Sequence, residues 1–302
     1  METRYTEHTV NSTDGYALNV HVFDVPAPKA VVRFIHGMEE HQERYEPFAA
    51  FLQENGYAVV TADLRGHGKT APILCHIADG EGDRLLIEDE ETLLGFVHDR
   101  WPGRPVCLFA HSMGTIIARK LLQTESKAFT KVVLSGYPNP QSAAKAGILV
   151  AGCLSIFRGK QGHSHLVDNM VTGSFGKAVK DAQSPLDWLS VNRENVRKYE
   201  EDPLCGVPFT LGSYETLFQL LVDIGRPELY RHVNEELPIL LIAGSEDPCV
   251  GGAKGRADSV DRLLRAGFRN LRTENLQGMR HEILNETDHM AVYGKILEFL
   301  EG

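Results

Sequence analysis

The stretch Val106-Cys107-Leu108-Phe109-Ala110-His111-Ser112-Met113-Gly114-Thr115-Ile116-Ile117-Ala118-Arg119-Lys120 changes its hydrophobic period in the middle. From Val106 to Ala110 it is an apolar run of strand length. From Thr115 through Leu122 the pattern is helical, rich in Ile, Ala and Leu. Between them stands Ser112, with the small residues Ala110 and Gly114 two positions to either side. A strand that turns at once into a helix forces its central residue into strained geometry, and only small neighbours leave room for it. The turn lifts the serine hydroxyl above the sheet at a helix N-terminus, where developing negative charge is favoured. The segment therefore reads as a nucleophile elbow, with Ala110 in place of the first glycine. The competing reading is an ordinary strand-to-helix connection with a serine near the helix start. The rest of the chain decides between them.

Upstream, residues 6–11 and 16–25 read as two strands about the turn Thr13-Asp14-Gly15, the second half-buried. Residues 30–35 form a third strand, which runs into His36-Gly37-Met38-Glu39-Glu40-His41. A helix over 46–55 stops at Gly56. The strand 57–61 leads into Asp63-Leu64-Arg65-Gly66-His67-Gly68-Lys69-Thr70. A helix over 88–100 precedes the elbow strand, and 131–134 is the next strand. This alternation predicts an α/β fold with a mostly parallel central sheet covered by helices on both faces. The loops after Ile35, Thr61 and Ala110 leave the C-terminal edge of that sheet, where ligands sit.

The rhythm breaks over 139–234. This segment reads as a mainly helical insertion, a cap or lid, which leaves 1–138 and 235–302 as the core. Within it, 147–157 is apolar nearly all round. Burial against the core is the expectation there, because the helix is too short to span a membrane. After Pro238 the strands resume: 239–243, the loop Gly244-Ser245-Glu246-Asp247-Pro248, a helix over 259–266, a strand over 271–276, the loop Met279-Arg280-His281-Glu282, and a closing helix from 285–288 to Leu300.

Composition bounds the function. The chain has 302 residues, 42% hydrophobic and 24% charged, as expected of a globular protein with no disordered bias. A formal charge of −10 argues against nucleic acid and gives no electrostatic reason to bind an anionic membrane. Cys75, Cys107, Cys153, Cys205 and Cys249 are scattered, lack metal-ligand spacing and read as free thiols. The polar start, 1–14, does not resemble a signal peptide, and no apolar run reaches spanning length. The expectation is a cytoplasmic protein without stable membrane insertion. Oligomeric state is not legible.

Acyl transfer needs a nucleophile, a base, a carboxylate to orient the base, and donors for the oxyanion. Ser112, His281 and Asp247 supply the first three from three loops on one sheet edge, in the chain order Ser, Asp, His. Singly, Asp247 is a turn former before proline and His281 a surface histidine. Together they support a triad. The backbone N–H groups of Met38 and Met113 are the candidate oxyanion donors, the first placed by Gly37, the second by the helix start. No phosphate-loop pattern is present, the Gly66-His67-Gly68 signal lacks dinucleotide spacing, and His163 with His165 has no evident ligand partners. The chemistry requires no metal and no cofactor.

These residues, with His36 to Tyr45, Asp63 to Gly68, His111-Ser112-Met113-Gly114, Gly244 to Pro248 and Arg280-His281-Glu282, make the chain resemble the α/β-hydrolase superfamily. Within it the chain is similar to the monoacylglycerol lipase and lysophospholipase-like group. The resemblance spans almost the whole chain outside the insertion, where only Asp202-Pro203-Leu204 matches. It implies an α/β-hydrolase fold and a serine hydrolase acting on fatty-acid esters with a small polar head, an amphiphilic substrate. It also implies that Glu40, Arg44 and His111 lie by the polar end of the site. Glu40 and Arg44 bracing the oxyanion loop is the alternative. Ala110 and Thr115 stand where the group has glycines, and Thr70 where it has serine. Two rival functions stay open: a peptidase or amidase on the same triad, with Glu200, Glu201 and Asp202 as candidates to meet a free amino group, and a catalytically silent binding protein.

Overall fold

The computed structural model describes residues 4–139, 143–173, 175–180 and 182–302. Residues 1–3 of the polar N-terminal stretch, and residues 140–142, 174 and 181 of the 139–234 segment, lie outside the described residues.

The strands are β1 (Thr6–Asn11), β2 (Ala17–Phe23), β3 (Val31–Ile35), β4 (Ala58–Ala62), β5 (Val106–His111), β6 (Lys131–Ser135), β7 (Ile239–Gly244) and β8 (Leu271–Leu276). They form one sheet in the order β1-β2-β4-β3-β5-β6-β7-β8. Pairing is antiparallel from β1 to β2 and from β2 to β4, and parallel from β4 to β8. The helices are α1 (Glu46–Glu54), α2 (Gly82–Arg100), α3 (Met113–Glu125), α4 (Ala144–Arg158), α5 (His165–Val171), α6 (Arg193–Glu201), α7 (Leu211–Ile224), α8 (Gly252–Arg265) and α9 (His289–Glu301).

Alternation along β5 shows why the sheet is covered twice. Val106, Leu108 and Ala110 join one core with α2, α3 and α7. Cys107 and Phe109 join the other with α1 and α9. A strand buried on both faces reads as a continuous apolar run, which is how β5 reads in the sequence.

Three expectations are corrected. β2 is not half-buried: every residue after Ala17 is buried, because β1 and β4 flank it and both faces are covered. α2 begins at Gly82, six residues before the expected start, behind Glu81 in a left-handed conformation. The apolar helix α4 is not buried all round. Its small residues Ala144, Gly147 and Ala151 pack inward, with Gly147 against Phe218 of α7. Leu149, Ile156 and Phe157 are 70%, 78% and 87% exposed. Small residues bring the two helices close along one narrow face; Ile148, Val150 and Leu154 are partly buried against the core, and Leu149, Ile156 and Phe157 stay outside. Among the described residues, the segment between β6 and β7 contains no strand, and no helix is long and apolar enough to cross a membrane.

Candidate active site

Ser112 sits between β5 and α3 with φ 51° and ψ −122°, a conformation that costs a non-glycine residue roughly 1–3 kcal/mol. The surroundings hold it there. Its N–H donates to the Ser135 carbonyl at 2.9 Å, and its carbonyl accepts from Thr115 N at 2.9 Å and Thr115 Oγ1 at 2.8 Å. Gly114 lets α3 approach β3: a Cβ there would stand 2.3 Å from the Ile35 carbonyl oxygen. Ala110 and Thr115, the two departures from glycine, are both fully buried.

His281 and Asp247 come together from the loops after β8 and β7. Both are buried, and His281 Nδ1 lies 2.9 Å from Asp247 Oδ2. An ionised carboxylate only accepts, so it places a proton on Nδ1 and leaves Nε2 as the basic nitrogen. Asp247 Oδ1 accepts from Cys249 N at 2.8 Å. Burial opposes charge on His281, but Asp247 prevails and holds its pKa well above the ordinary imidazole value. The Trp188 ring lies 4.9 Å from the His281 ring. Ser112 and His281 line one cavity of about 720 Å³. Among the described residues no hydrogen bond joins them, a common state for unliganded sites.

Met38 and Met113 line the same cavity. Among the described residues, neither backbone N–H has an acceptor. Met113 is the first residue of α3, where helical N–H groups are free by construction. The loop bearing Met38 reaches the nucleophile, since a Cβ on Gly37 would stand 3.1 Å from Ser112 Cβ.

Glu40 and His111 also line this cavity, whereas Arg44 lines a neighbouring polar cleft. Glu40 Oε1 accepts from Gly37 N at 2.5 Å and Tyr45 OH at 2.6 Å, and its Oε2 accepts from Arg44 Nη1 at 2.9 Å. Arg44 also grips Glu282 through both nitrogens, at 2.6 and 2.7 Å. Asn195 of α6 donates to Glu282 Oε2 at 2.6 Å. Burial raises the Glu40 pKa. Burial acts the same way on Glu282, but Arg44 overrides it and holds that carboxyl at about 2. The His111 imidazole is pushed well below its ordinary value by burial and by His281, whose ring is 4.6 Å away.

The three acidic residues expected near a free amino group do not reach the cavity. Glu200 accepts from the Ser184 hydroxyl, Glu201 pairs with Arg197, and Asp202 pairs with His41 at 2.8 Å. The acids that do line it, besides Glu40 and Glu282, are Glu39 and Asp168. Sequence spacing missed Glu282 and Asn195 as partners of Arg44, since they come from residues 238 and 151 positions away. Two groups bring possible metal-ligand atoms within 4.8 Å of one another: Asp247, Cys249 and His281, and His41, Asp202 and Cys205. Sequence spacing gave no sign of either, because each is assembled from separate loops.

The family profile described as serine aminopeptidase, S33, matches residues 26–288. The human monoglyceride lipase is 28% identical, the match covering 80% of this chain and 72% of that protein. The monoacylglycerol lipase of Mycolicibacterium smegmatis is 25% identical over 98% of this chain and 96% of its own. A thermostable carboxyl esterase from Bacillus coagulans, solved with glycerol, superposes with a TM-score of 0.90 at 27% identity, covering 99% of both chains. The chain belongs to the serine aminopeptidase S33 family, in the monoacylglycerol-lipase-like group of the α/β-hydrolases.

Proposed function

We propose that this protein is a serine hydrolase of carboxylic esters of fatty acids, of monoacylglycerol or lysophospholipid type. The observation that carries the reading is His281, backed by buried Asp247 and facing the same cavity as a serine held on a strained turn. Related proteins named as monoglyceride lipases and a carboxyl esterase support it.

In this mechanism His281 Nε2 takes the proton of Ser112 Oγ as the oxygen attacks the ester carbonyl. The Met38 and Met113 N–H groups receive the oxyanion, each worth about 3 kcal/mol of transition-state stabilisation. The imidazolium, stabilised by Asp247, protonates the departing alcohol. Water then enters, gives its proton to His281 and releases the acid. Residues 139–234 act as the cap over the 1–138 and 235–302 core, and Leu217, Phe218 and Leu221 of α7 give the acyl chain an apolar wall. Glu40 and Arg44 brace the oxyanion loop.

The test is intact-mass labelling with a fluorophosphonate, followed by hydrolysis of p-nitrophenyl esters of rising chain length and of aminoacyl anilides. One adduct on the wild type and none on Ser112→Ala is the expected result, with esters cleaved in preference to anilides. Folded wild type that takes no adduct would overturn the reading in favour of a silent binding protein. Faster anilide cleavage would move it to an amidase.

A further inference from the structure

Away from the catalytic residues, three side chains of different elements converge as a ligand set. His41 lies on the loop after β3, and Asp202 and Cys205 lie on the turn after α6. Each offers one ligand atom, and these atoms all lie within 4.8 Å of one another. His41 Nε2 is 2.8 Å from Asp202 Oδ2. His41 and Cys205 are buried, and Asp202 is half-buried.

Backbone contacts gather the three. Asp202 Oδ1 accepts from Leu204 N at 2.9 Å, and the Asp202 carbonyl accepts from Cys205 N at 3.0 Å. This Asp-x-x-Cys turn is pinned to the His41 loop, because Gly206 N and Tyr199 OH donate to the Glu39 carbonyl at 2.9 and 2.8 Å. The ligand atoms are therefore held close by backbone that does not depend on their meeting, which is the preorganisation a metal site needs.

The donors suit zinc, which takes imidazole, carboxylate and thiolate together. A tetrahedral zinc with bonds of about 2.0–2.3 Å holds its ligand atoms about 3.4 Å apart, so the His41–Asp202 contact opens by about 0.6 Å. A fourth position is left for water. His41 and Asp202 line the polar cleft, of about 530 Å³, which gives solvent and metal a way in. The other ring nitrogen, His41 Nδ1, faces Glu43 Oε2 at 4.0 Å, the side from which an outer carboxylate orients a metal-bound imidazole. Glu43 Oε1 meets Lys69 at 3.5 Å, which leaves Oε2 to the ring. Arg44, three residues on, is matched by Glu40 and Glu282 and brings no unpaired positive charge. The second group of possible ligands, Asp247, Cys249 and His281, belongs to the site already described, where both Asp247 oxygens and His281 Nδ1 are engaged.

We propose that His41, Asp202 and Cys205 form a zinc site that ties the 139–234 segment to the loop carrying Met38. The imidazole binds through Nε2 with its proton on Nδ1, beside Glu43. Cys205 binds as the thiolate, and its proton passes to the buffer. The site stands apart from the hydrolytic reading, since none of its ligands takes part in those steps.

The experiment titrates the protein with Zn²⁺ against a chromophoric chelator, and with Co²⁺ as a spectroscopic probe. Wild type is compared with Cys205→Ser, Asp202→Asn and Cys249→Ser. Wild type should bind one zinc per chain, and its cobalt form should show a thiolate-to-cobalt charge-transfer band. Cys205→Ser should lose the band. Asp202→Asn, altered at the more exposed ligand, should bind zinc at least about tenfold more weakly. Cys249→Ser should keep both band and affinity. Zinc should also slow proteolysis within 202–206 of the wild type. Absence of zinc binding, a band that Cys205→Ser retains, or equal affinity in every variant (surface histidines only) would overturn the proposal. A band lost in Cys249→Ser alone would overturn it by moving the metal to the His281 loop. Cleavage at the zinc-free rate would overturn the tie between the two segments.

Discussion

Arg44 and Glu282 are joined by two short hydrogen bonds, 2.6 and 2.7 Å, across 238 residues of sequence. The bond pair ties the loop after β3 to the residue that follows His281. Through Glu40 it continues to the Gly37 N–H, one residue from Met38. The loop of Met38 and the loop of His281 are therefore held by one buried charge network, which Asn195 extends to α6.

Glu282→Gln tests that coupling. The amide keeps the shape but removes the charge from a buried pair, which costs about 3 kcal/mol when one partner is lost. Chemical denaturation should show a loss of that order. If the network sets the distance between the oxyanion donors and His281, kcat on p-nitrophenyl butyrate should fall roughly tenfold or more, with a smaller change in KM. Unchanged stability and unchanged kcat would show that the network holds neither loop.

The His281 pKa fixes the sign of the pH response. The base works only when Nε2 is unprotonated, and Asp247 holds the imidazole pKa above its ordinary 6.5. Hydrolysis should therefore be weak in acid and rise with pH through a half-point above 6.5. In Asp247→Asn burial acts on His281 without an opposing charge. The half-point should then move to lower pH, and the rate should drop roughly 10⁴-fold as tautomer control is lost. A pH profile of kcat/KM for both proteins checks this, and a wild-type half-point below the ordinary value would contradict it.

Gly114→Ala should disturb the elbow itself. The added Cβ meets backbone oxygens at 2.3 and 2.6 Å, the Ile35 and His36 carbonyls, and neither can move without β3. Overpacking of this kind costs about 2 kcal/mol, visible in denaturant melts. Fluorophosphonate labelling should slow in parallel, because α3 must shift and carries the Met113 N–H with it. Wild-type stability and labelling rate in this variant would mean the turn has slack.

The strands and the three site-bearing loops were legible because each strand is a short apolar run closed by turn residues, and because a parallel sheet sends those loops to one edge. The elbow, the loop positions and the chain order bring Ser112, Asp247 and His281 to one edge, and the structure puts His281 against Asp247 and on the same cavity as Ser112; their roles as a triad are the reading proposed above. Partnerships were less legible. Nothing near Arg44 in sequence points to Glu282 or Asn195, and the acids beside the site proved to be Glu39 and Asp168 rather than Glu200, Glu201 and Asp202. Those three have the helical and turn-forming context of a solvated face. α4 does pack against the core as expected, but on one side only, because an apolar period around a helix does not say which side has a neighbour.

This one-sided packing yields a sharp stability test. If the large apolar residues of α4 face outward, Ile156→Glu and Phe157→Glu remove little packing and should change unfolding free energy by no more than about 0.5 kcal/mol each. On the inward side the arithmetic is different. Leu217 of α7 is 3% exposed, so Leu217→Ala should cost about 3 kcal/mol through lost burial and the cavity left behind. Urea denaturation of the three variants against wild type separates the cases. A loss of several kcal/mol in Ile156→Glu or Phe157→Glu would place those side chains in a packed interior, as the apolar sequence alone suggests. Near-neutral behaviour beside a costly Leu217→Ala would assign the stability of this segment to the narrow seam of Ala144, Gly147 and Ala151 against α7.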